Sequence, residues 1–109
     1  MKLRMEKGII KLRLSASEID RLNQDKTLEE KIYLSGSNQF RYVIHIDPNE
    51  EKCMAQFGQN SLTIAIPSGR AAKWINSNQV GIKETIITDN NASFSLTLEE
   101  DLPPRKYKK

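Results

Sequence analysis

A chain of 109 residues with 28% charged and 38% hydrophobic side chains is long enough to fold as one domain and too apolar for the high-charge class that stays disordered. A single cysteine excludes an internal disulfide, and no apolar run approaches the ~20 residues that span a bilayer as a helix. The net charge of +3 invites a polyanion as partner, but Arg105, Lys106, Lys108 and Lys109 supply four positive charges in the last five residues, so the body without them sums to 3 − 4 = −1.

In chain order, Leu3 and Met5, then Ile10, Leu12 and Leu14, alternate with Lys2, Arg4, Lys11 and Arg13. A period of two predicts two strands with one buried face, turning at Glu6-Lys7-Gly8. Ser15 and Glu18 stand at the spacing of a capping box, in which the serine accepts from an orphan amide and the glutamate reaches back. A short helix follows with Ile19 and Leu22 inward. Residues 27–34 and 40–47 read as two more strands, joined through the turn-forming Ser35-Gly36-Ser37-Asn38. In the second of them Tyr42, Ile44 and Ile46 share one face, and Arg41, Val43 and His45 the other.

After the break Asp47-Pro48-Asn49-Glu50 the order begins again. Ala55 and Phe57 fall 52 positions after Leu3 and Met5, Gly58-Gln59-Asn60 takes the place of the turn, and Leu62, Ile64 and Ile66 fall on Ile10, Leu12 and Leu14. Pro67-Ser68 opens a second helix, since proline suits the start of one, and Ala71, Trp74 and Ile75 give it an apolar side. A strand from Ile82 to Thr88, a turn at Asp89-Asn90-Asn91 and a last strand complete the series. At the same offset of 52, Phe94, Leu96 and Leu98 fall on Tyr42, Ile44 and Ile46.

Three strands, two turns and two helices in one order predict two ββαββ repeats, residues 1–47 and 53–99, within a single domain of residues 1–102. A unit of ~50 residues cannot bury both its sheet face and its helix alone. The expected fold is therefore α+β and mainly antiparallel: eight strands and two short helices about a pseudo-twofold axis, as a barrel-like closure or as two packed sheets. The basic end, residues 103–109, is expected to be a disordered solvated tail.

Met1-Lys2-Leu3-Arg4, "RLSASEI" at 13–19, "NSLTIAIP" at 60–67, "WINSNQVGI" at 74–82 and "LEEDL" at 98–102 together resemble a family of small uncharacterised bacterial proteins. Members carry Gly-Asn-Ser in the first turn, where this chain has Glu6-Lys7-Gly8. They also place a cysteine just after the position of Leu102, where this chain has Pro103. The resemblance implies a small soluble bacterial domain and brings no activity, cofactor or catalytic residue. The start of the chain lacks the apolar stretch of a signal peptide, which leads to the expectation of a cytoplasmic protein.

No nucleotide, phosphate-loop or zinc-protease motif occurs, and one histidine with one cysteine cannot make a His/Cys metal site within the chain. Neither a cofactor nor a metal is expected. His45 is expected to be solvated and Cys53 inert, since an activated thiolate needs a cationic setting. Ser68-Gly69-Arg70 at a helix start is an anion-site candidate, read first as an N-cap serine with a solvated arginine. The acidic runs Glu29-Glu30 and Glu99-Glu100-Asp101 would suit acid/base chemistry only if a pocket gathered them.

The two opening hairpins differ on their outward faces. Lys2, Arg4, Lys11 and Arg13 face out in the first; Met54, Gln56, Thr63 and Ala65 stand at the matching places in the second. Like charges across a hairpin repel by a few tenths of a kcal/mol each, and persist where acidic groups or a partner lie opposite. Two functions follow. The first is a binding or adaptor module without catalysis, able to self-associate through Met54, Gln56, Thr63 and Ala65, with a homodimer or a protein as partner. The alternative is nucleic-acid or anion binding through Lys2, Arg4, Lys11, Arg13, Arg41 and the tail cations Arg105, Lys106, Lys108 and Lys109, with Tyr107 and Tyr33 for stacking. An enzyme ranks third.

Overall fold

The computed structural model describes residues 1–77, 81–88 and 90–101. The first half runs β1 (Lys2–Glu6), β2 (Ile9–Leu14), α1 (Ala16–Asp25), β3 (Thr27–Tyr33) and β4 (Gln39–Asp47). The second runs β5 (Met54–Gly58), β6 (Ser61–Pro67), α2 (Ser68–Ile75), β7 (Gly81–Ile87) and β8 (Ser93–Glu100).

The start of α1 is fixed as its sequence requires. Ser15 Oγ accepts from the Glu18 amide at 3.2 Å, and Glu18 Oε1 accepts from the Ser15 amide at 2.9 Å, a complete capping box. Lys26 ends the helix in the left-handed region, φ 63°, its amide donating to the Leu22 carbonyl, and so frees the chain to enter β3. The second helix has no such lock. Pro67 occupies its N-cap with no side-chain hydrogen bond, so Ser68 is the first helical residue and not the expected capping serine.

Among the described residues the strands form two open four-stranded sheets, ordered β1-β2-β8-β7 and β3-β4-β6-β5. The hairpins pair antiparallel internally, and each sheet joins a hairpin of one half to a hairpin of the other through a parallel central pair, β2 with β8 and β4 with β6. Each sheet is thus mixed, and packed sheets, rather than a closed barrel, solve the burial problem.

Pairing registers relate the halves. Adding 52 to both residues of Leu3↔Leu12 gives Ala55↔Ile64, a pair that occurs. The later hairpins need a different shift: adding 54 to both residues of Thr27↔His45 gives Gly81↔Glu99. Tyr42, Ile44 and Ile46 therefore correspond in pairing to Leu96, Leu98 and Glu100, not to Phe94, Leu96 and Leu98. The sequence match at 52 in the closing strand is out by two. Hydrogen bonds follow the corrected shifts, since Ser95 N donates to Gly8 O at 2.9 Å where Arg41 N donates to Asn60 O at 3.0 Å.

One core lies between these elements. Leu12, Leu14, Ile82, Leu96 and Leu98 of the first sheet, Ile44, Ile64 and Ile66 of the second, and Leu22 of α1 are fully buried. Each contributes about 1.5–3 kcal/mol relative to exposure. Ile19 of α1 and Ala71 and Trp74 of α2 close over the same cluster. Gly81 allows β7 its close approach to β8: a Cβ there would stand 2.1 Å from the Leu98 carbonyl oxygen. Among the described residues no helix is long and apolar enough to cross a membrane.

Candidate functional site

The outward face of the first sheet gathers the basic residues. Arg4 pairs with Lys11, Lys11 lies beside Thr97, and Thr97 pairs with Lys83. Three cations thus fall in one row across four strands spaced ~4.8 Å apart. A neighbouring row runs Lys2, Arg13, Glu99, Gly81. Lys83 is a member that the sequence reading missed, because its place depends on β7 and β8 joining the first hairpin from the far end of the chain.

Carboxylates answer most of this charge. Lys2 Nζ meets Asp101 at 2.8 Å, and Arg13 Nε meets Glu99 Oε1 at 2.8 Å, with Lys11 Nζ at 3.8 Å from the same oxygen. Arg4 pairs with Glu6. The hydrogen bond from Lys2 holds the Asp101 carboxyl below its ordinary range. Exposed pairs of this kind are worth ~0–1 kcal/mol each; they neutralise the face more than they stabilise it. Arg41 lies on the other sheet, between Glu29 at 3.3 Å and Ser61 Oγ at 3.3 Å, and so does not extend the basic face. The tail cations Arg105, Lys106, Lys108 and Lys109, and Tyr107, lie outside the described residues.

The second opening hairpin is of another kind. Met54 pairs with Ala65 and Gln56 with Thr63 on its outward face, and none of these residues is charged. Met54 is 48% exposed and Phe57, which the alternation places inward, is 69% exposed. Phe57 belongs to the core-facing side of β5 but lies past the point where the core covers it, against the ring of Phe40 at 6.2 Å. A strand end beyond the roof of the core cannot be recognised from a period of two.

Between the sheets lie two matched polar nodes. The Cys53 amide donates to Glu84 Oε2 at 3.1 Å, and Arg70 holds the other oxygen. In the first half the Met1 amino group meets Glu30 Oε2 at 3.3 Å and also binds Glu18. Residues 53 and 70 stand 52 after 1 and 18, and Glu84 stands 54 after Glu30. Burial alone would raise the Glu18 carboxyl, but hydrogen bonds from the amino group and from Ser15 outweigh it and leave it below its ordinary value. Burial, with Glu30 and Glu18 nearby, raises the Tyr42 phenol, whose hydroxyl donates to Met1 O at 2.8 Å.

These contacts dispose of several candidates. Arg70, expected to be solvated or to hold an anion, is ion-paired to Glu84. Cys53 is 3% exposed, and burial, then the Glu84 charge, push its thiol up to about 12, a protonated and shielded group. His45 is exposed on the outward face beside Thr27 and Ala65. The acidic runs are spread: Glu29 faces Arg41, Glu30 the amino end, Glu99 Arg13, and Asp101 Lys2. A recess of about 490 Å³ beside α2, lined mainly by Ile46, Pro48, Ala71, Ala72 and Ile75, contains no carboxylate. The loop at Ser35 to Asn38 closes on its own backbone, Asn38 N donating to Ser35 O at 2.8 Å. Among the described residues no three His, Cys, Asp or Glu side chains stand together as a metal would need.

A family model described as a family of unknown function (DUF7009) matches residues 1–104. No curated protein and no solved structure matches the chain. With nearly its whole length covered by that model, the chain belongs to this family of unknown function.

Proposed function

We propose that the protein is a binding module without catalysis that takes an extended segment of another polypeptide onto the open edge of β5. The observation that carries this is the composition of the edges. The two sheets expose four edge strands, β1, β7, β3 and β5. β1 carries Lys2, Arg4 and Glu6, β3 carries Glu29, Glu30 and Lys31, and β7 carries Lys83 and Glu84. Charges on edges discourage the addition of further strands. β5, Met-Ala-Gln-Phe-Gly, has none, and presents exposed Met54 and Phe57. Strand addition to such an edge gains main-chain hydrogen bonds, and alternate side chains supply selectivity.

We read the two halves as a duplicated unit whose shared core residues are kept while the outward faces diverge, one basic and one neutral. A single shielded thiol suits a reducing compartment such as the bacterial cytoplasm. The test is an extended uncharged peptide with alternating apolar residues, titrated into labelled protein. The amide signals of Ala55 and Phe57 should move, and Met54→Lys should abolish the shift. No response to the peptide, with heparin instead moving the signals of the basic face, would replace this function with anion binding, for which the row Arg4, Lys11, Thr97, Lys83 is the supporting feature.

A further inference from the structure

Granting β5 as the docking edge proposed above, we infer that the strand it takes is β5 of a second copy, paired antiparallel about a twofold axis through Gln56. The hairpin of β5 and β6 closes through the two residues Gln59 and Asn60, with Gly58 opposite Ser61. In a hairpin with a two-residue loop the flanking pair exchanges both hydrogen bonds, and pairs alternate from there. Gly58, Gln56 and Met54 therefore direct their backbone groups toward β6, and Ala55 and Phe57 direct theirs to the open edge. A twofold axis at Gln56 sets Ala55 against the partner's Phe57 and Phe57 against the partner's Ala55, so both residues of each strand whose backbone groups face the open edge find full backbone partners.

Side chains fit the same register. Across the axis Phe57 lies beside the partner's Ala55 and Met54 beside the partner's Gly58, a large group against a small one each time. Gln56 meets the partner's Gln56, and a side-chain amide both donates and accepts. No other edge offers this. The same operation on β1, β3 or β7 would centre on Arg4, Glu30 or Glu84 and set a charge against its own copy, which destabilises a cross-strand pair. The contact is isologous and joins two four-stranded sheets into one of eight strands. It also shelters Phe57.

One short strand pair buries less than the ~1,000 Å² of a lasting interface, so the dimer forms and dissociates with concentration. Sedimentation of the native chain should show a mass rising toward the dimer as concentration approaches about 1 mM. Gln56→Cys, mildly oxidised with glutathione disulfide, should give a covalent dimer, since directly opposed residues bring their Cβ atoms within ~4.5–5.5 Å. The native chain should not, because Cys53 is buried. Gln56→Lys should weaken association at least tenfold while its thermal unfolding is unchanged. A native chain that stays monomeric throughout overturns the self-pairing. So does a dimer in which Gln56→Cys fails to cross-link, because its contact then lies elsewhere. If the chain is monomeric yet the extended peptide still moves the Ala55 and Phe57 amides, β5 remains a docking edge with a different polypeptide as its partner; if neither occurs, both proposals fall.

Discussion

The Cys53 amide hydrogen-bonds Glu84 Oε2 at 3.1 Å across the gap between the two sheets. The same carboxylate carries Arg70 of α2, so a single side chain ties together the start of β5, the middle of β7 and the first turn of the helix. The first half uses Glu30 in the same position, but there the donor is charged, and an acidic residue, Glu18, takes the place of Arg70. In one node Glu84 accepts from both a neutral amide and Arg70; in the other Glu18 and Glu30 both accept from one charged amino group.

Glu84→Ala should cost about 2–3 kcal/mol, since a part-buried amide loses its acceptor and Arg70 its counter-charge. Arg70→Ala should cost about 1 kcal/mol, because Glu84 keeps the Cys53 amide. Urea unfolding of the two variants and their double mutant would measure this, and the double mutant should be less unstable than the sum of the singles.

Alkali should destabilise the protein through Cys53. Its thiol rises from 9.0 to about 12 in the folded chain, so the folded state favours the protonated form. That stabilisation is complete below pH 9.0 and is lost as pH climbs toward about 12. Cys53→Ala should lose roughly 1 kcal/mol at neutral pH through the missing sulfur, yet fall less steeply between pH 9 and 11. In the native chain, labelling of the thiol at pH 8 should be slow and should accelerate with urea, since it waits on opening of the structure.

The β5–β6 turn has room for improvement. Gln59 and Asn60 both hold positive φ, 52° and 59°, the geometry of a type I′ turn, for which Asn-Gly is the preferred pair. A glutamine in the left-handed region carries a steric cost of about 1–2 kcal/mol. Replacing Gln59 by Asn and Asn60 by Gly together should raise the stability by about 1 kcal/mol, read as an increase in the urea midpoint with an unchanged slope.

Any polyanion affinity should depend on Lys83 as much as on the first hairpin. Lys83→Glu and Arg4→Glu should shorten retention on heparin resin to a similar extent, because both stand in one row with Lys11, Arg4 directly beside it and Lys83 beyond Thr97. Glu99→Gln should lengthen it by releasing Arg13 and Lys11. Each effect should shrink with added salt.

The elements and their inward faces were legible because local rules govern them. Alternation in "KLRME" and "IIKLRL", the Ser15–Glu18 spacing and the turn at Ser35 to Asn38 each require only neighbouring residues. What escaped was non-local. A period of two assigns each residue to a face but leaves the partner open, and a slip of two residues preserves every face. That is why the shift of 54 in the later hairpins was hidden behind 52, and why the parallel junctions at the sheet centres could not be foreseen. Lys83 escaped the basic face for the same reason, and Phe57 was assigned to the interior because alternation reports direction and not cover.

The exchange of hairpins between sheets governs how the chain can fold. Arg13 and Glu99, 86 residues apart, sit side by side at the central junction of the first sheet, so during synthesis that sheet stays incomplete until the final strand has emerged. Closing so long a loop is entropically slow. Neither half should therefore hold its shape when produced alone, and the two should acquire structure in one concerted event.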